Sequence, residues 1–384
     1  MSTSDHEVAI IGGGIVGCAV AYELARRGVP PILFEAEPGL GLGASGTNSG
    51  ILHTGFDSYP GELETRLILR SHELRRETAD TLRVPTLPCG AMLRPRDDRE
   101  RATVREIAQR ARANGVPVHA RADGALEIPG EAVTDPVAFV HTLAGAAQGG
   151  GAELRLRAQV ESLRRDHAGG WTLHAADGTQ ARARYVLNCA GLYADAVARL
   201  AGDEIVDIYP RKGEFLVFAL ASAYRPRQIL LPVPSAMGKG VLVFPTLDGH
   251  VIAGPTARER EDKEDWSVEP DAVAQIIERA APMHPPLRDA SPVAAYVGLR
   301  PAGRGANYVI TPSPASPSLI HVAAIRSTGL SASLGIAEYV TGLCAQAGLA
   351  LGPPLELAPH AVTLTPVPPP SPAWWERAIG HHGA

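Results

Sequence analysis

The segment Glu7-Val-Ala-Ile-Ile-Gly12-Gly-Gly14-Ile-Val-Gly17 ties an apolar strand to an apolar helix that runs to Arg27, and Pro31-Ile-Leu-Phe-Glu35 returns as a second strand ending on an acid. Strand, glycine turn, helix and strand at this spacing specify a βαβ unit, and so a sheet with helices laid on it. Gly12 permits the tight turn off the strand, Gly14 leaves room for a pyrophosphate against the backbone, and Gly17 lets the helix pack close to the sheet. The helix N-terminus directs unpaired N–H groups and positive dipole at that pyrophosphate. Glu35 stands where a carboxylate accepts the ribose hydroxyl protons and disfavours a 2′-phosphate. Residues 7–35 therefore read as a site for the ADP half of FAD or NAD rather than of NADP.

At 384 residues, 45% hydrophobic and 20% charged, the chain is long enough for two cores and has a globular rather than a disordered balance. A formal net charge of −5 argues against a nucleic-acid surface. The longest apolar run, Val8 to Tyr22, falls short of a bilayer span and is interrupted by glycines; Asp5 and Glu7 precede it instead of the basic residues of a signal peptide. A cytoplasmic protein with no integral membrane span is expected. The four cysteines, Cys18, Cys89, Cys189 and Cys344, are far apart with no CxxC pair, so no structural disulfide, zinc site or iron–sulfur cluster is expected.

After the βαβ unit comes a small-residue loop, Leu40-Gly-Leu-Gly-Ala-Ser45-Gly-Thr47-Asn48-Ser49-Gly50-Ile-Leu-His53-Thr-Gly55, too long for a simple connection. Helices are expected over 61–82 and 99–113, and another to about Ala147 that Asp135 caps and Pro136 opens. The segments 153–164, 171–175 and 181–188, punctuated by Gly169-Gly170 and Asp177-Gly178, read as a β-meander. The last of them reaches a second glycine turn, Asn188-Cys-Ala190-Gly191, and a helix over 193–201. From Ile205 to Tyr308 the pattern suits an antiparallel sheet, with strands at 213–219, 240–245 and 250–254. A strand over 319–325, a helix from Thr328 to about Cys344 and a proline-rich tail through Pro366–Pro370 follow, the tail expected to be extended or poorly ordered.

Taken together, Gly12-Gly-Gly14-Ile-Val-Gly17 with Glu35, the Gly43–Gly55 loop and Asn188-Cys-Ala-Gly191 resemble the FAD-dependent D-amino-acid oxidase superfamily. Arg211-Lys-Gly213-Glu214, Gly238-Lys-Gly240-Val-Leu-Val-Phe-Pro245, Gly254-Pro-Thr-Ala257, Gly298-Leu-Arg300-Pro and Ile325-Arg-Ser-Thr-Gly329-Leu-Ser look like its branch of anaerobic-type glycerol-3-phosphate dehydrogenases and L-2-hydroxyglutarate oxidases. The resemblance covers residues 5–347. It implies an α/β architecture, a Rossmann-like FAD-binding domain (1–82, 152–202 and 319–348) with an inserted antiparallel-sheet α+β substrate domain (83–151 and 203–318), and a tail over 349–384. It also implies oxidation of a CH–OH group on a small anionic substrate, of the glycerol 3-phosphate or 2-hydroxy acid type, by hydride transfer to flavin N5. Dehydrogenases of this branch often continue into a cysteine-rich domain holding an iron–sulfur cluster. Here residues 349–384 contain no cysteine, so oxygen, a quinone or another redox protein is the expected electron acceptor.

The same resemblance distributes roles. Gly12, Gly14, Gly17, Glu35, Ser45, Thr47, Asn48, Ser49, Val160, Ala190, Gly191, Arg326, Thr328, Gly329, Leu330 and Ser331 are implied to hold FAD. The helix opening at Gly329 would offer its free N–H groups to the charge that develops at the flavin edge. His53 suits either of two tasks, a base for the substrate hydroxyl or a covalent anchor for the flavin, since imidazole titrates near neutrality. Arg300 is implied to grip the substrate anion, for which guanidinium is suited by its paired donors. Arg211, Lys212, Lys239 and Arg326 are weaker candidates for that grip, and Glu214 is expected to position either the sheet or the substrate. Two other readings stay open on the same scaffold: amine or amino-acid oxidation, and a flavin-binding protein without turnover.

Overall fold

The computed structural model describes residues 4–167, 169–234, 240–359 and 373–382. Lys239, Gly238 and Pro366–Pro370 lie outside the described residues. Strand β1 (Ser4–Ile11) and strand β2 (Ile32–Phe34) pair in parallel with helix α1 (Ile15–Arg26) crossing between them, as the glycine motif requires. Val8, Ala9 and Ile10 are fully buried, because Val8 and Ile10 face the helices while Ala9 faces a second apolar layer that includes Trp171 and Leu173. Both faces are covered, so the strand carries no polar alternation.

On the other side of β1 runs β3 (Gln180–Asn188), also parallel. The far edge of β3 takes two partners in turn: Trp171–Ala175 antiparallel along Gln180–Ala183, then Leu319–Ala323 parallel along Val186–Asn188. These strands belong to an eight-stranded sheet. The segment expected as one strand over 153–164 divides. Glu153–Arg155 pairs in parallel with β2 at one side of the sheet, while Val160–Arg165 pairs with Trp171–Ala175 at the other. The break falls at Arg157, whose φ of 55° cannot continue a strand.

Helices α2 (Leu63–Glu77), α3 (Pro136–Gly149) and α4 (Gly329–Gln346) share one side of this sheet with α1; α3 and α4 pack on α1, and α2 packs on α4. The expected 61–82 helix ends at Glu77 and resumes as the short Ala79–Leu82 turn. Asp135 caps α3 as expected, its Oδ1 accepting from the Val137 and Ala138 N–H groups at 2.8 Å each. Phe139, Val140 and Leu143 of α3 are buried in the same cluster as Val20 and Leu24 of α1. The helix therefore packs with the first sheet, although the sequence places it in the 83–151 segment of the other domain.

A second, nine-stranded sheet is organised on β4 (Ile208–Phe218) and β5 (Ala294–Gly303), antiparallel along their whole length. Strands Leu242–Pro245 and Val251–Gly254 fall where the sequence puts them. The tail is not extended throughout. Helix α5 (Trp374–His382) docks on this sheet with Ala373, Trp374 and Trp375 buried. Trp374 stands edge-on to Tyr296 at 5.4 Å, and Tyr296 stacks on Phe215 at 4.7 Å, a cross-strand pair of β4 and β5.

Candidate active site

The two glycine turns converge. A side chain at Gly12, where φ is +111°, would stand 2.4 Å from the Cys189 carbonyl oxygen, so the Asn188–Gly191 turn lies directly against the end of β1. Gly17 is equally confined, with the Gly12 carbonyl 1.9 Å from where a Cβ would sit. Gly14, the N-cap of α1, has only the Ser45 hydroxyl close by, at 3.1 Å. That hydroxyl accepts the Ile15 N–H at 2.9 Å and has no acceptor for its own proton among the described residues. A polar opening at the start of α1 results, lined by unpaired N–H groups and one free O–H.

Glu35 closes the other end of the turn. Its carboxylate accepts the Gly13 N–H at 2.6 Å and the Glu37 N–H at 2.8 Å, and burial raises its pKa above the ordinary value. One lone pair on each oxygen remains for hydroxyl donors. The Glu35 carbonyl accepts the Ala158 N–H at 2.9 Å, which brings the segment leading into Val160 alongside it. Ala190 takes its N–H to Asn188 Oδ1 at 3.3 Å, and Asn188 is itself held by the Ala194 carbonyl and His321.

The loop after β2 reaches the second sheet: the Thr47 carbonyl lies 2.7 Å from where a Cβ on Gly298 would be. Asn48 turns its Oδ1 to the Gly50 N–H at 2.9 Å, and Ser49 accepts the Ile51 N–H at 3.4 Å, so both are partly used within the loop. The N-termini of α1 and α4 approach each other, with Val16 close to Gly329, and neither has a side-chain cap from its own N-cap residue. Leu330 and Ser331 lie in that first turn of α4. Thr328 contributes no free hydroxyl, since its Oγ1 bonds Tyr308 at 2.8 Å and Glu64 at 2.6 Å.

His53 is fixed to this turn. Its N–H donates to Ser331 Oγ at 2.8 Å, and Arg75 bridges the two segments by donating to the His53 carbonyl at 3.3 Å and to the Ser331 carbonyl. Burial lowers the Arg75 pKa to about 10, against the opposing attraction of Glu131. The His53 ring meets a partner that no local pattern announces: Nδ1 lies 2.8 Å from Oε2 of Glu131, which is fully buried. Glu131 belongs to none of the sequence motifs. The one available signal is an acid placed between Gly130 and the apolar strand Ala132–Thr134.

Arg300 lies across from β5 onto β4. Its Nε donates to the Arg211 carbonyl at 2.9 Å, and one terminal nitrogen donates to the Lys212 carbonyl at 3.1 Å and the Thr256 carbonyl at 3.0 Å. Gly213 makes this possible, because a Cβ there would stand 3.0 Å from that nitrogen. The other terminal nitrogen has no acceptor among the described residues, so one N–H₂ group, not a two-nitrogen fork, is left for an anion. Burial, then the charges of Arg211 and Arg326, lower the Arg300 pKa to about 10. Three guanidinium groups thus share a region without a carboxylate partner for Arg300 among the described residues. Lys212 does not join them: it is fully buried and bonds Asp265 at 2.8 Å and Ser267 at 3.2 Å. Glu214 is a sheet residue, accepting the Glu269 N–H at 3.0 Å and bonding Thr256.

The donor set suits an FAD: a pyrophosphate at the start of α1, ribose hydroxyls at Glu35, and a flavin edge toward the unpaired N–H groups of α4. The chain is 29% identical to a glycerol 3-phosphate dehydrogenase of Caloramator mitchellensis over 87% of its own length and 72% of that protein. It is 27% identical to a mitochondrial L-2-hydroxyglutarate dehydrogenase of Nematostella vectensis, covering 67% of the chain and 63% of the relative. The structure superposes on the dithionite-reduced L-alpha-glycerophosphate oxidase of Mycoplasma pneumoniae, solved with FAD bound, with a TM-score of 0.86 and 25% identity over 93% of this chain and 99% of that one. The family profile described as FAD dependent oxidoreductase matches residues 7–343, so this chain belongs to the FAD-dependent oxidoreductase family.

Proposed function

We propose that this enzyme oxidises the CH–OH carbon of a small anionic alcohol, of the glycerol 3-phosphate or 2-hydroxy acid type, to the ketone. One observation supports the reading: His53 is bonded to the first turn of α4, while Arg300 and Arg211 on the second sheet, with Arg326 just before α4, gather positive charge around Arg300. FAD, when bound, supplies the hydride acceptor at flavin N5. His53 accepts the hydroxyl proton as the C–H bond breaks, which leaves the carbonyl product. Arg300 pairs its free N–H₂ group with the phosphate or carboxylate and orients the carbinol carbon. The N-terminus of α4 places its dipole toward negative charge at the flavin edge. Similarity to named dehydrogenases and an oxidase of the same substrate types supports this reading. Oxygen, a quinone or another redox protein would take the electrons onward, and we place the protein in the cytoplasm. No described helix is long and apolar enough to cross a membrane.

An anaerobic reduction screen tests the proposal. Glycerol 3-phosphate or a 2-hydroxy acid should bleach the flavin, whereas bleaching by amines or amino acids alone would reject it. His53→Ala should slow that reduction about 10²–10⁴-fold, the usual worth of a positioned base. Acid precipitation should release free flavin from the native protein. Flavin retained in the pellet, and released only in His53→Ala, would instead make His53 the covalent anchor.

A further inference from the structure

Glu131 spends both of its carboxylate oxygens on two consecutive residues. Oε1 accepts the Thr54 N–H at 2.7 Å and the Thr54 hydroxyl at 2.9 Å, and Oε2 faces His53 Nδ1 at 2.8 Å. A carboxylate only accepts, so the ring proton of neutral His53 must sit on Nδ1, leaving the lone pair on Nε2. The ring cannot turn without breaking this bond, and the main chain on either side is held too, by Ser331 at the His53 N–H and by Glu131 at the Thr54 N–H. The Arg75 guanidinium stands near as the counter-charge of Glu131, with His72 beside it at 3.5 Å.

We infer that Glu131 is the positioning residue of the reaction: it fixes the His53 tautomer in which Nε2 takes the substrate proton, and its charge stabilises the imidazolium that results. The inference rests on the reading of His53 as the base. A carboxylate serving only to tie residues 53 and 54 to the 129–131 turn would have no need to reach the ring.

Glu131→Gln separates these roles at nearly constant shape. Glutamine brings one acceptor oxygen and one N–H₂ group. Thr54 N–H can only donate, so the oxygen must face Thr54 and the N–H₂ must face His53 Nδ1. That geometry demands the opposite tautomer, with the proton on Nε2 and no acceptor for the substrate.

The readout is nitrogen NMR of the histidine-labelled, FAD-loaded enzyme, recorded well above the pH at which imidazole loses its charge, with His53 assigned from His53→Gln. The native enzyme should show His53 protonated on Nδ1, and Glu131→Gln should show it protonated on Nε2. In the same variant, anaerobic flavin reduction by whichever anionic alcohol reduces the native protein should fall about 10²–10⁴-fold. Its FAD content should be unchanged and its substrate dissociation constant within about threefold of native. A native His53 protonated on Nε2 overturns the inference even if Glu131→Gln fails to fold. So does a Glu131→Gln enzyme that reduces at the native rate while His53→Gln is slow, an outcome that leaves His53 as the base. Native-rate reduction by His53→Gln removes the base reading itself, and the role of Glu131 falls with it.

Discussion

Among the described residues Arg300 is bonded to peptide carbonyls and to no acid, a setting in which the proposed substrate anion would complete its pairing. Two further guanidinium groups press in the same direction, which is why burial and like charge act together on Arg300. Arg300→Ala should raise the substrate KM by the equivalent of roughly 2–5 kcal/mol, the cost of truncating one partner of a desolvated charge pair, with FAD content unchanged. Native KM in that variant would move the anion site to Arg211 or Arg326. Gly213→Val offers a second approach to the same point, since its side chain would occupy the path of the Arg300 guanidinium and raise KM without removing a charge. His53 and Arg300 are both singled out by local patterns in the sequence, a small-residue loop after a βαβ unit and the Gly298-Leu-Arg300-Pro motif, which lies within β5. Glu131 is not, since it meets His53 from 78 residues away and flanking sequence carries no trace of that contact.

At the level of elements, cofactor retention should depend on the start of α1. Gly14→Val would put a branched side chain where the pyrophosphate approaches the helix N-terminus, and the purified variant should lose its flavin while native protein is yellow with about one FAD per chain. A folded Gly14→Val protein that keeps its full FAD would reject the assignment. The 259–271 loop makes a different prediction. The buried Lys212 ammonium beside Asp265 and the Ser267 hydroxyl hold the Asp265 carboxyl down at about 2. A carboxyl depressed on folding contributes stability above its ordinary pKa of about 4 and loses it as pH falls toward 2. Asp265→Asn should therefore flatten the acid limb of a stability–pH curve between about pH 4 and pH 2; an unchanged limb would mean that Lys212 is neutralised without Asp265. The glycine turns, the Asp135 cap and most strand positions follow from local sequence. The division of 153–164 at Arg157 does not, because alternation over a short segment is the same whether its two halves pair with one neighbour or lie on opposite sides of a sheet.

Across the whole molecule, the two sheets meet at the candidate site, and α5 fastens them from behind. Trp374 and Trp375 enter the core of the second sheet, Arg377 pairs with Asp135 at the cap of α3 at 2.7 Å, and His381 reaches Glu37 at 3.1 Å, two residues beyond Glu35. Through Tyr296, whose hydroxyl donates to the Asn48 carbonyl at 3.4 Å, the Trp374 ring also backs the loop that carries Thr47 and Asn48. Composition hid this helix, since the prolines before it read as an extended tail, whereas its two tryptophans gain a buried surface only in the folded chain. Trp374→Ala should cost about 3–5 kcal/mol in reversible denaturant unfolding, as expected for emptying a buried aromatic site. Because the lost contacts lie under Tyr296 and not at Arg300 or His53, the variant should keep its substrate KM at temperatures where it remains folded. A loss below about 1 kcal/mol would show that the helix rests on the sheet without helping to hold it.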